Sequence, residues 1–240
     1  MITIRRSDER GHADHGWLDA YHTFSFAGYH DPDRMGFGPL RVLNQDRIAP
    51  ARGFGAHDHR DMEIVTVVLE GMLEHRDSLG NGSIIRPGEV QVMSAGAGVT
   101  HSEANASPTE PLHLLQMWVF PRTRGTPPRY AQETIPAASL RGTLRTVVRP
   151  DGEGGALTID QNARLLLGRL GAGDEARHAL PAGRAAWIHV ARGAVRLGET
   201  PLGPGDGAAV EDEEGFALRG VDDADVVVWD LPAARVPSPR

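Results

Sequence analysis

Apolar residues in this chain come in short runs, the clearest being Ile64-Val-Thr-Val-Val-Leu69, which is rich in β-branched side chains and is followed by Gly71. A turn-rich passage through Gly80-Asn81-Gly82 comes next, and Pro87-Gly88 leads into a second run, Val90-Gln-Val-Met93. β-Branched residues suit a pleated surface while glycine and proline punctuate it, so this stretch predicts strand, turn, strand, turn, strand. Leu112 to Phe120 mixes alternation with continuous apolarity and predicts a buried strand. Pro121 to Pro128 reads as an exposed connection, because Pro127-Pro128 cannot sit inside a sheet. A domain boundary follows near residue 135, dividing the chain into 1–135 and 136–240.

The second half repeats the rhythm of the first. Ala186-Trp-Ile-His-Val-Ala-Arg-Gly193 matches Ile64 to Gly71, and Pro204-Gly205-Asp206 matches Pro87-Gly88-Glu89. A duplicated β-architecture is the simplest account. Composition agrees: 29 glycines and 17 prolines imply many turns, and 240 residues suffice to bury a substantial core.

Two short patterns carry candidate chemistry. Side chains two apart on a strand share a face, so His57 and His59 would point the same way, as would His101 and Glu103. An isolated His-x-His is more often a polar surface pair. Two such pairs in glycine-rich sequence, flanking a compact β-segment, point instead to a site. Three imidazoles and one carboxylate suit a divalent first-row transition metal. Counting outward from the matched runs places Ala179 and Pro181 opposite His57 and His59, and Leu218 and Gly220 opposite His101 and Glu103, so the second half carries no equivalent set.

Other features narrow the field. With no cysteine there is no thiolate site, disulfide or cysteine nucleophile. A net charge of −7 argues against direct nucleic-acid binding. The first residues lack the apolar stretch of a signal peptide and no apolar run reaches spanning length, so a cytoplasmic protein without membrane contact is expected. Trp17, Tyr21, Phe24, Phe26, Tyr29 and Phe37 hold about half of the aromatic residues, and core packing is the favoured role for each. His12, His15, His22 and His30 lack a repeated i, i+2 partner and suit turns or the surface, while His113 reads as a structural histidine.

The motif region resembles the cupin double motif. Gly53, His57, His59, Glu63 and Gly71 fill the first part, and Gly88, Gly96, His101 and Asn105 the second. Ser94 stands where a proline is usual, the run from Gly96 to His101 is long, and Glu103 is added. Those departures resemble the pirin branch, as do Arg10-Gly-His-Ala-Asp-His-Gly-Trp17 and His22-Thr-Phe-Ser-Phe26. The resemblance implies a bicupin, two tandem antiparallel β-barrels of jelly-roll type. It implies one metal in the first, held by His57, His59, His101 and Glu103, with Glu63 not a ligand. Fe(II) is favoured on that basis, with Mn, Co, Ni, Cu and Zn left open. The implied activity is O2-dependent opening of a flavonol such as quercetin with release of CO, in which Glu103 would also accept the substrate's proton. A second reading is a non-catalytic, redox-sensitive regulator with a protein partner, a transcription factor or an enzyme. A third is a metal-dependent binding module without turnover.

Overall fold

The computed structural model describes residues 1–233, and these form an almost entirely β-structure. In chain order the first strands are β1 (Ile2–Arg5), β2 (Gly11–Asp14), β3 (Leu18–His22), β4 (Leu40–Ile48), β5 (Gly53–His59) and β6 (Glu63–Glu70). They continue as β7 (Leu73–Asp77), β8 (Gly82–Ile85), β9 (Glu89–Ser94), β10 (Val99–Asn105), β11 (Leu112–Val119) and β12 (Arg129–Thr134). The second half supplies β13 (Leu144–Arg149), β14 (Leu157–Thr158), β15 (Arg164–Leu170), β16 (Glu175–Ala179) and β17 (Arg184–Arg192). It ends with β18 (Val195–Leu197), β19 (Thr200–Leu202), β20 (Gly207–Val210), β21 (Gly215–Gly220) and β22 (Ala224–Pro232).

Each half is a sandwich of one large and one small sheet. The first pairs β12-β9-β6-β11-β4-β3-β2 with β5-β10-β7-β8, and the second pairs β1-β20-β17-β22-β15-β13-β14 with β16-β21-β18-β19. The strand orders correspond, as the repeated rhythm predicts. Among the described residues no strand joins a large sheet to its small one, and each half is the expected jelly-roll-like sandwich. One strand breaks the chain order: Ile2–Arg5 pairs antiparallel with Val210–Gly207, taking in the second large sheet the edge place that β12 holds in the first.

The continuous apolar runs follow from this layering. Val65 and Val67 on β6 face a core shared between the two large sheets, with Leu115 and Met117 meeting Leu165, Val227 and Trp229. Ile64 and Val68, on the opposite face, pack inside the first sandwich. A strand covered on both sides has no solvent face to mark with polar residues. Trp229 Nε1 donates to Met117 Sδ at 3.1 Å across the seam, and Phe24 and Phe37 lie 4.9 and 5.5 Å from Trp187. Phe24 and Phe37 are therefore mortar between the halves. His22, expected at a turn or surface, is buried on the face of β3 that Leu18 and Ala20 turn into the first sandwich, with its Nδ1 2.9 Å from Asn44 Oδ1.

Leu166, Leu197, Phe216 and Leu218 fill the interior of the second sandwich. On β16 the interior positions are Ala176 and His178, while Ala179 is exposed, so the gapless count from the first half slips by one residue. His178 Nε2 lies 3.0 Å from Asp230 Oδ2, and Arg184 Nε donates to Asp230 Oδ1 at 2.6 Å. Burial alone would raise the pKa of Asp230, but the bonds from His178 and Arg184 outweigh it and hold the carboxyl below its usual range. Removing one partner of such a buried pair costs about 3–5 kcal/mol. Arg184→Met should therefore lower the melting temperature at pH 7 by roughly 6–20 °C. Because the folded-state pKa is depressed, Asp230's contribution is present above the unfolded value and is lost as pH falls through the folded one. The gap between wild type and variant, measured by thermal unfolding across pH, should narrow below about pH 4.

Candidate metal centre

Two strands bring the candidate ligands together. β5 lies at the edge of the small sheet and pairs with β10, setting His57 opposite His101 and His59 opposite Val99. Between His101 and Glu103 the register shifts, so that Glu103 faces Phe54. Gly53 is what lets the strands approach here, since a Cβ on it would lie 2.3 Å from the Glu103 carbonyl oxygen. Each of the two predicted pairs shares a face.

The ligand atoms of His57, His59 and His101 lie within 4.8 Å of one another, as do those of His75, His101 and Glu103. His101 thus belongs to both sets. Its Nε2 is 3.0 Å from His57 Nε2. His57 Nδ1 donates to the Gly55 carbonyl at 2.8 Å, which fixes the tautomer and leaves its Nε2 lone pair facing the group. Trp118 stands edge-to-face against His59 at 4.8 Å, and His59 also lines a groove of about 360 Å³ beside Arg60 and Ser78.

Electrostatics suit a cation. Burial, followed by the charge of neighbouring His57, pushes His59 down to about 4. His101 is pushed down to about 3, first by burial and then by His57, His59 and His75. These two imidazoles are therefore neutral at pH 7 and can offer lone pairs. Burial raises the Glu103 carboxyl, against the opposing bond from Gln116. Gln116 Nε2 donates to Glu103 Oε2 at 2.7 Å, whereas Oε1 is buried without a partner. Converging ring nitrogens and an orphaned carboxylate oxygen are what a divalent ion would satisfy, so the residues fit a metal.

Glu63 belongs to neither group among the described residues, and its Oε2 accepts from Ser94 Oγ at 2.6 Å. His113 is buried, with Nε2 3.0 Å from Gln45 Nε2. Asn105 ties down the chain beyond β10 by donating to the carbonyls of Ile48, Ala49 and Glu110.

Sequence reasoning missed the layer behind the group. His75 is fully buried, with Nδ1 3.1 Å from Gln91 Nε2 and Nε2 3.2 Å from Asp77 Oδ2, and its ring stacks on Tyr130 at 4.9 Å. Asp46 is also buried, pushed up to about 7 by burial and then by the charge of Glu103. His75-Arg-Asp77 has the same i, i+2 spacing as the recognised pairs and could have been found on that signal.

The Pirin family matches residues 3–119, and the quercetinase C-terminal cupin domain matches residues 146–231. The chain is 45% identical over 232 residues to a quercetin 2,3-dioxygenase of Escherichia coli K12, covering 97% of this chain and 99% of that one. It is 40% identical over 231 residues to a pirin-like protein of Caulobacter vibrioides, covering 96% and 99%. The crystal structure of the bacterial pirin YhhW from E. coli in complex with nickel(II) superposes with a TM-score of 0.93 at 44% identity, covering 98% of this chain and all of that one.

Proposed function

Because this chain belongs to the pirin family, we propose that it is a metal-dependent dioxygenase that opens a flavonol such as quercetin with O2 and releases CO. His57, His59, His101 and Glu103 would hold one divalent ion. Fe(II) is the ion we favour, and nickel is the second to test, given the nickel-bound relative. When bound, the ion would supply Lewis-acid and redox chemistry and favour the anionic form of a hydroxyl beside it.

The chain's own residues do the rest. Glu103 would take the proton of the flavonol 3-hydroxyl on Oε1, the oxygen left free because Gln116 engages Oε2. Gln116 in turn receives the indole N–H of Trp118 on its own oxygen at 3.2 Å, so the carboxylate, the amide and the ring beside His59 are held as one unit. Phe54 and Trp118 offer flat apolar surfaces on either side of the histidines, suited to the rings of a flavonoid. Burial of Glu103 at 3% exposure keeps bulk water from its free oxygen.

The observation that carries this reading is the unpartnered Glu103 Oε1, whose carboxylate groups with His75 and His101, the last shared with His57 and His59. The test is reconstitution with Fe(II) or Ni(II) under anaerobic conditions, followed by admission of air in the presence of quercetin. Metal-dependent loss of the flavonol absorption band, matched by O2 uptake and CO release, is the expected result. Absence of metal-dependent loss across several flavonols and metals would sink the dioxygenase reading and leave the regulator or binding-module role.

A further inference from the structure

Two overlapping groups share His101, one with His57 and His59 and one with His75 and Glu103, and the hydrogens on His75 decide between them. Asp77 fixes where they sit. Its Oδ1 accepts from the Leu79 N–H at 2.9 Å, the Asn81 N–H at 3.0 Å and Asn81 Nδ2 at 3.1 Å, and its Oδ2 accepts from Asn81 Nδ2 at 2.9 Å. A carboxylate surrounded by donors in this way acts as an acceptor only, so His75 Nε2, 3.2 Å from Oδ2, carries a hydrogen and donates it. Nδ1 of the same ring then presents its lone pair, to which Gln91 Nε2 donates at 3.1 Å. A lone pair that already faces a donor is poorly placed to take an ion.

The ring is held on every side. It is fully buried, and Tyr130 stacks on it at 4.9 Å and 27° while being tied to Ser83 Oγ and, at 3.0 Å, to Gln132. Pairing of β7 with β10 sets His75 opposite Glu103 and Asp77 opposite His101. The His75 ring therefore backs two candidate ligands. His101 Nδ1 lies 3.5 Å from His75 Nδ1, a long contact in which two lone pairs would repel. The hydrogen of His101 thus belongs on Nδ1 and its lone pair on Nε2, the atom 3.0 Å from His57 Nε2.

We propose that His75 is a positioning residue for the metal centre and not a ligand: Asp77 orients His75, and His75 accepts the His101 Nδ1–H, holding the tautomer that turns the His101 Nε2 lone pair toward His57 and His59. This role rests on the reading of His57, His59, His101 and Glu103 as the ligands, and adds to it the side chains that hold one of them in place. Outer partners of this kind orient a metal-binding imidazole and raise its basicity, and losing one typically costs about 10–100-fold in metal affinity.

Nickel(II) is the probe, with affinity measured by chelator competition and the bound imidazoles followed by X-ray absorption. His75→Leu should weaken nickel by about 10–100-fold while leaving the wild-type coordination shell unchanged. His75→Asn sets an amide oxygen near the place of Nδ1 and should recover most of that loss, which a role in packing alone would not produce. In metal-free, ¹⁵N-labelled wild-type protein, long-range proton–nitrogen spectra should show His75 protonated on Nε2 and His101 on Nδ1, and these tautomers decide the matter if His75→Leu does not fold. Wild-type affinity in His75→Leu, no recovery in His75→Asn, an imidazole missing from the His75→Leu shell, or the opposite tautomer of either ring would overturn the proposal while His57→Ala still loses its metal. Nickel bound as tightly by His57→Ala as by wild type would instead sink the ligand assignment, and the role of His75 with it.

Discussion

Glu103→Gln in metal-loaded protein is expected to cut flavonol turnover by at least about a hundredfold, the usual scale for removing a general base. The substitution keeps size and still offers Gln116 an oxygen acceptor, but it replaces a basic carboxylate by an amide. Metal content should fall less than turnover, which separates the two roles when metal per chain and kcat are measured on the same sample. Glu63→Gln is the matched control. That carboxylate is equally buried, at 1% exposure, but bonds Ser94 and stands outside the histidine group. It should retain the metal and most of the activity. The reverse pattern, with metal lost from the Glu63 variant and kept in the Glu103 variant, would show the ligand assignment to be wrong.

His57→Ala should empty the site, taking elemental analysis from about one transition metal per chain to near zero. Even a residue that merely supports a ligand is worth about 10–100-fold in metal affinity, and a ligand should exceed that. The fold should survive, because His57 lies half-buried on an edge strand and joins none of the apolar cores. His101→Ala should empty the site too, with a larger loss of thermal stability, because His101 is only 2% exposed and its removal leaves a void. His113→Ala, at a histidine buried elsewhere, should keep the metal and so control for nonspecific damage. Full occupancy in both the His57 and His101 variants, or about two metals per wild-type chain, would contradict the assignment.

What could be read in advance divides along the range of the interactions. The i, i+2 rule is local, so the shared faces of His57 with His59 and of His101 with Glu103 followed from spacing alone. The run Ile64–Leu69 announced a strand, and its lack of alternation reflects burial on both faces. The count that put Ala179 inside the second sandwich failed because a slip of one residue turns every side chain to the opposite face, and nothing local marks such a slip. His75 and Asp77 carry the same local spacing, but what joins them to the site is the pairing of β7 with β10, which spacing does not show. The two jelly-roll-like sandwiches were expected from the family resemblance, whereas the order of strands in each sheet depends on edge pairings that no single segment encodes. The placement of Ile2–Arg5 is the extreme case, since its partner lies about two hundred residues away.

That distance has a consequence for how the chain comes to be made. At roughly 5–20 residues per second, a ribosome that has released Ile2–Arg5 needs about ten to forty seconds more before Gly207–Val210 exists to receive it. Throughout that interval the nascent first sandwich carries a loose tail whose docking site has not been synthesised. When β20 emerges, its outer edge is a row of unpaired backbone groups open to any extended segment nearby, and the tethered tail competes for it against other chains. Fragments beginning near residue 136 would lack this stopper altogether and should associate edge to edge, whereas supplying the first residues as a separate peptide should compete with that self-association.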